Sequence, residues 1–391
     1  MLRGQGITRR ETIRLMGLGG CGLLWPHGSA CIAAGPDYQQ SESSAELEMM
    51  LEGARRRHQL PGLAAAIVSG TRATVSGVTG VRRWGQQAKI QLEDRFHIAS
   101  CTKSWTAMLA AAAVEKGQLS WTTTLADGLP SLAPRMRKEY ALVTLEQLLA
   151  HEGRLPAYTQ PSAGRVEEMR GLPGTSTEQR LAFLGQVLAE NPNGAAGDGA
   201  YSNAGYAAAG ALLEWATGTT WEDLIRRDLT QPLGLTTVGF GYPATADVPN
   251  QPRGHARDGA TTLDLPLDNA RELAVCLWPA GAIHCSIGDL AKYAADHLSG
   301  LRSRSALLPS AYYERLHRRR SESVFTLGWG IARHQRWGLM HFGAGSGGWF
   351  FVRIVILPEH DAAVVIASNS GDAGPATREL WPQLVQQFAT G

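Results

Sequence analysis

Apolar positions change period twice along this chain, dividing it into strand-rich ends and a helical middle. Ala45 to His58 carries Leu47, Met50, Leu51 and Ala54 on one side, predicting an amphipathic helix ended by Leu60-Pro61-Gly62. Leu63-Ala64-Ala65-Ala66-Ile67-Val68 is then apolar without a break and bounded by turn residues, the pattern of a buried strand. Thr71–Gly77 and Val78–Trp84 read as two following strands with glycine turns. Helical patterns take over at Ser104–Val114. They recur at Thr144–His151 with Thr144 as cap, at Ser176–Glu190, at the small-residue run closed by Gly218, and at a helix capped near Ser286. Gly254 to Asn269 reads as irregular surface chain. Strand patterns return at Phe325–Ile331, Leu339–Phe342, Trp349–Leu357 and Ala362–Ser368, with Pro358-Glu359-His360-Asp361 turning the last pair and Trp381–Phe388 as a closing helix. Strands at both ends with helices between predict an α+β fold, one sheet built from distant segments with a helical insertion beside it.

Length and charge narrow the class. The chain has 391 residues, 44% hydrophobic and 18% charged, enough for one large domain over 41–391. Net charge is +2, but the first 35 residues hold Arg3, Arg9, Arg10 and Arg14 against Glu11, leaving 33 basic and 34 acidic residues elsewhere. A nearly neutral body argues against nucleic acid and against an electrostatic membrane footprint. The N-terminus has a charged start, an apolar Leu15–Trp25 run and a small-residue exit at Ser29–Ala34, the order of a secretory leader over 1–35. Arg9-Arg10 ahead of that run resembles a twin-arginine signal, which implies an exported, periplasmic or extracellular protein. The run is too short and glycine-rich to span a membrane, and it leaves too little apolar segment before Cys21 for a lipoprotein anchor. Five cysteines make no disulfide framework: Cys21 and Cys31 fall in the leader, and Cys276 and Cys285 lie close enough in sequence to pair, though spacing alone does not decide it. No Cys/His spacing suits zinc.

Candidate chemistry centres on Phe96-His97-Ile98-Ala99-Ser100-Cys101-Thr102-Lys103. With a helix starting near Ser100, Ser100 and Lys103 share one face. A serine needs a neighbouring base, and a lysine among apolar helix residues loses affinity for its proton. The helix start also offers free N–H groups to an oxyanion. A second stretch, Tyr201-Ser202-Asn203, puts a phenol and an amide two residues apart on a turn. The phenol can serve as general base if nearby positive charge favours its ionised form, and the amide can hold a substrate or a lysine.

Ser100–Lys103, His151-Glu152-Gly153-Arg154-Leu155-Pro156, Tyr201-Ser202-Asn203, Pro279–Leu290 and Leu327-Gly328-Trp329 stand in an order that resembles the serine β-lactamase and penicillin-recognising hydrolases, class C-like branch. The resemblance covers nearly all of residues 45–390. It implies a β-lactamase/transpeptidase-like fold: an antiparallel sheet from about 60–98 and 325–370, flanked by helices, with a helical region over about 105–300. It implies Ser100 as acylated nucleophile, Lys103 as proton relay, Tyr201 as general base, and Asn203 orienting Lys103 and substrate. It also implies no metal or organic cofactor, a monomer, and a small-molecule or peptide ester or amide as substrate.

The third family motif departs from its usual Lys or His, small residue, Gly. Here the chain reads Met340-His341-Phe342-Gly343-Ala344-Gly345-Ser346. Counting back from Pro358-Glu359 puts the triplet on Gly343-Ala344-Gly345 with Ser346 donating to the oxyanion; reading by residue type puts it on His341-Phe342-Gly343 with Ala344 as donor. The first register has neither cation nor hydroxyl, which weakens the case for penicillin-like carboxylates and favours an esterase over a β-lactamase. A D-amino-acid-specific peptidase and a non-catalytic binding module are the alternatives. His151-Glu152-Gly153-Arg154 also lacks the usual Thr-Ser-Gly after the histidine and reads as structural support.

Overall fold

A computed structural model describes residues 36–194, 199–259, 261–267, 272–304, 307–320 and 323–389. The leader assigned to 1–35 lies outside them. Among the described residues the strands are β1 (Gly62–Ser69), β2 (Arg72–Gly80), β3 (Arg95–His97), β4 (Gly239–Phe240), β5 (His255–Asp258), β6 (Thr261–Asp264), β7 (Ile283–Ser286), β8 (Gly330–His334), β9 (Gly338–Ser346), β10 (Phe351–Leu357) and β11 (Ala362–Ser368). Six of them form one antiparallel sheet in the order β2-β1-β11-β10-β9-β8.

The central strands, β10 and β11, are apolar at all but Arg353 and Ser368 because both sheet faces are covered. Leu63, Ala65, Ile67, Val364 and Ile366 pack under helices Pro36–Arg57 and Gly374–Phe388, which supply Leu47, Leu51, Leu380 and Leu384. Ala64, Ala66, Val68, Val365 and Ile354 face the other way, into the core of the helical region with Trp105, Met108 and Leu290. Leu63 pairs with Ser368 and Phe351 pairs with the same Ser368, so the two ends of the chain meet in adjacent strands.

Three local expectations are corrected. β2 is one strand rather than two: a Cβ on Gly77 would lie 3.0 Å from Glu48 Cγ, so this glycine marks the close approach of the N-terminal helix, not a turn. Of Phe325–Ile331 only Gly330 and Ile331 join β8; the residues before them turn at Gly328, which sits at φ +84° and where a Cβ would lie 2.7 Å from Ser104 Cα and 2.9 Å from the Lys103 carbonyl oxygen. Within Gly254–Asn269, β5 and β6 form a hairpin. Cys101, Cys276 and Cys285 are all buried free thiols. No helix among the described residues is long and apolar enough to cross a membrane.

A buried ion triad ties the helices that carry the site. Arg180, on helix Ser176–Val187, bonds Glu214 of helix Asn203–Thr217, and Glu222 at 3.0 Å. Glu214 also accepts the Trp221 N–H at 2.9 Å, and Glu222 accepts the Ser176 hydroxyl at 3.1 Å. Removing the guanidinium leaves two buried carboxylates uncompensated, so Arg180→Met should lower unfolding free energy by about 3–5 kcal/mol. Urea melts check this; a loss under 1 kcal/mol (roughly what an exposed pair gives) would show the triad to be solvated.

Candidate active site

Strand β3 pairs with β7, His97 opposite His284, and delivers the chain into a 3₁₀ turn at Ala99–Cys101 that leads directly into helix Thr102–Glu115. Ala99 holds φ +45°, a left-handed conformation that disfavours bulky side chains. The turn is fixed by the Ile98 N–H bonding the Ile283 carbonyl at 2.9 Å and the Cys101 N–H bonding the Ile98 carbonyl at 3.0 Å. Ser100 lines both an open cavity of about 870 Å³ and a smaller one of about 110 Å³.

Lys103 is almost fully buried behind the serine. Its Nζ donates to Asn203 Oδ1 at 2.7 Å and to the Ala280 carbonyl at 2.7 Å, and lies 3.3 Å from Ser100 Oγ. It also sits 4.8 Å from the Tyr201 ring centroid. Burial pulls its pKa down from 10.5 to about 7, since an ammonium loses hydration that neutral acceptors replace only in part. In the neutral amine the two N–H bonds can serve Asn203 and Ala280, which leaves the lone pair for the Ser100 hydroxyl.

Tyr201 and Asn203 flank the start of helix Asn203–Thr217, where Ser202 caps the helix by accepting the Gly205 N–H at 3.0 Å. Asn203 Nδ2 donates to the Tyr158 carbonyl at 2.9 Å, which aims its Oδ1 at Lys103. Tyr201 meets Ser100 through a hydrogen bond, but burial dominates and pushes the phenol up to about 12. His151 stacks on Tyr201 at 4.3 Å between centroids, and its Nδ1 accepts the Ser202 N–H at 3.1 Å. Burial, aided by Lys103, holds His151 near 3 and therefore neutral. This histidine positions the tyrosine turn. His151, Arg154 and Tyr158 all have positive φ, at +62°, +59° and +48°, so the loop takes an unusual path around the site.

The closest approach of β9 to the serine turn falls at Gly345. A Cβ there would lie 2.0 Å from the Ile98 carbonyl oxygen and 3.1 Å from the Cys101 nitrogen. That is the glycine of the Gly343-Ala344-Gly345 register. Ser346 lines the larger cavity, and Gly343 and Ala344 line the smaller. His341 lines neither. It is buried on β9, with its ring 4.7 Å from that of His317, and burial lowers its pKa to about 4. The structure thus brings together Ser100, Lys103, Tyr201, Asn203, Ala344, Gly345 and Ser346, and leaves His341 in the core. It adds residues the sequence did not single out: the Ala280 carbonyl, the Tyr158 carbonyl, and His97, Tyr242 and Glu272 on the cavity wall. Ala280 lay inside the Pro279–Leu290 stretch and His97 inside Phe96–Lys103, without a role assigned to either; the others gave no pattern. Among the described residues no cluster of three His, Cys, Asp or Glu side chains could hold a metal ion.

The family model "Beta-lactamase" matches residues 45–388. Penicillin-binding protein 4 of Amycolatopsis lactamdurans is 25% identical over 364 residues, 88% of this chain and 90% of that protein. Esterase EstB of Burkholderia gladioli is 25% identical over 248 residues, 61% of this chain and 62% of the esterase. A solved class C beta-lactamase superposes with a TM-score of 0.72 at 17% identity, covering 93% of this chain and 99% of its own.

The glycine contact supplies a direct test. Gly345→Ala must push β9 off the serine turn, and a displacement of about 1 Å costs on the order of 100-fold in a positioned reaction. The rate at which a fluorophosphonate labels Ser100 should fall by about that factor, in a chain that still unfolds cooperatively with a loss of about 1–3 kcal/mol from the overpacking. An unchanged labelling rate would mean that β9 takes no part in the site.

Proposed function

The chain belongs to the Beta-lactamase family of serine hydrolases, and from that membership we propose that it hydrolyses esters or unstrained amides through an acyl-enzyme on Ser100. The observation that carries this reading is Lys103 Nζ, bound by two neutral acceptors at 2.7 Å and facing Ser100 Oγ at 3.3 Å. Neutral Lys103 takes the hydroxyl proton as Ser100 Oγ bonds to the substrate carbonyl carbon. The oxyanion is held by the N–H groups of Ser100 and Ser346, each such donor worth on the order of 3 kcal/mol. The C–O or C–N bond then breaks, and the leaving group collects the proton from Lys103, with the Tyr201 phenol as relay. Water attacks the acyl-serine, gives its proton to the same pair, and Ser100 leaves reprotonated.

Residue chemistry offered Tyr201 as base on condition of nearby positive charge, and the family resemblance assigned it that role. Electrostatics favour Lys103, because a phenol near 12 keeps its proton at neutral pH while an amine near 7 is half free. Burial is what raises the phenol, and at Gly343-Ala344-Gly345 no side chain supplies a cation to offset it. The same gap supports neutral esters or amides over penicillins and carboxylate-ended peptides, whose carboxylate has no partner on that strand. The leader supports export; replacing Arg9 and Arg10 by lysine should retain the protein in the cytoplasmic fraction, and unchanged secretion would remove the twin-arginine reading.

A chromogenic short-chain ester tests the reaction. The parent chain should turn it over and Ser100→Ala should fall to background; equal rates would dismiss Ser100 as nucleophile. A stable Ser100 adduct without turnover would favour the binding-module alternative. The kcat/KM should rise as pH climbs through about 7, because protonated Lys103 cannot accept the serine proton. Lys103→Met should cost about 10²–10⁴-fold, the span of a lost general base. A flat profile between pH 5 and 9, roughly two units either side of that pKa, would exclude Lys103 as the base.

A further inference from the structure

The larger cavity holds polar groups that acylation leaves unused. Glu272 lines it, seated against Gly241, where a Cβ would fall 1.6 Å from a carboxylate oxygen. Gly241 sits at φ +78°; its N–H bonds the Ala282 carbonyl at 2.8 Å and its own carbonyl meets His284 Nδ1 at 2.9 Å, so the seat is fixed. The Tyr242 backbone hydrogen-bonds the carboxylate. His97 lines the same cavity and is only 5% exposed, with Nδ1 buried and without a hydrogen-bond partner among the described residues. Gly347, next to Ser346, lies beside that ring: a Cβ there would be 3.9 Å from Nδ1. A buried ring nitrogen in this position is satisfied when a hydrogen-bonding group enters the cavity.

The charge of the wall has a sign. Its other ionic side chains are Glu167 and Arg170, which lie 3.9 Å apart, and Arg170 also donates to the Glu272 carbonyl. Among the described residues, two carboxylates against one guanidinium leave the lining negative, and the facing strand at Gly343-Ala344-Gly345 brings no cation. Burial raises the Glu272 carboxyl above its ordinary range, the Tyr242 backbone and Arg170 offset this only in part, and an entering cation would favour the ionised form further.

We propose that the cavity binds an acyl group bearing a protonated amine, with Glu272 as counter-charge and His97 Nδ1 as hydrogen-bond acceptor, so that the substrates are aminoacyl esters or amides. The proposal rests on Ser100 as nucleophile, and the test separates the two. Binding is measured by titration calorimetry on the Ser100→Ala chain with the N-benzyl amides of alanine (both hands), propanoic acid and succinic acid, which are cationic, neutral and anionic. At least one alanine amide should bind about tenfold or more tightly than the propanoic amide, as expected for a partly desolvated charge pair. Adding Glu272→Gln should erase most of that difference, and Glu272→Asp should keep part of it. Equal binding of the alanine and propanoic amides, tighter binding of the succinic amide, or a preference that survives Glu272→Gln would each overturn the proposal. Failure of the parent chain to hydrolyse both p-nitrophenyl propanoate and the p-nitroanilides of D- and L-alanine, with the amine preference intact, would instead remove the hydrolase reading.

Discussion

A single ammonium held out of water organises this molecule. Lys103 is placed by its own helix, but its partners come from Ser100, Asn203 and the Ala280 carbonyl, residues spread over most of the helical region. Bringing them within reach requires the helix at Asn203 to be clamped, which the Arg180 triad does, and requires the Pro279–Gly281 backbone to turn its carbonyl inward. Burying a lysine opposes stability, and the depressed pKa is the measure of that opposition. The same burial makes the amine a base at neutral pH.

Close backbone contact is the second constraint. Gly345 touches the Ile98 carbonyl, Gly328 touches the Lys103 and Ser104 backbone, and Ala99 takes a left-handed φ. Each allows a strand or turn to stand nearer the serine than a side chain permits. The His151–Tyr158 loop, with its three positive φ values, holds the Asn203 amide from the other side. Absence of a cation at Gly343-Ala344-Gly345 leaves the shape intact: the strand still reaches the serine turn, while burial keeps the proton on Tyr201. The wall opposite carries Glu272 and a neutral His97 instead, so the charge a substrate meets differs from that offered to a carboxylate.

Much of this was legible in the sequence. The alternation of strand and helix patterns gave the α+β order, since both-face burial makes β1, β10 and β11 apolar at nearly every position. Ser100, Lys103, Tyr201 and Asn203 stood out because helical and turn spacing is local, and their chemistry needs those residue types. Hairpin length pointed to Gly343-Ala344-Gly345, the register in which β9 meets the serine turn. The sequence misread glycines: Gly77 looked like a turn yet accommodates a helix, and Gly328 looked like strand yet makes a turn. A glycine reports that a Cβ is unwelcome, not what excludes it. Tertiary structure alone decided what depends on distant neighbours. The lysine's carbonyl partner, the burial that sets the protonation of Lys103 and Tyr201, the placing of His341 in the core, and the meeting of His97 with Glu272 all arise from segments far apart in the chain. Solvation and pairing are properties of an assembled interior, and no local pattern encodes them.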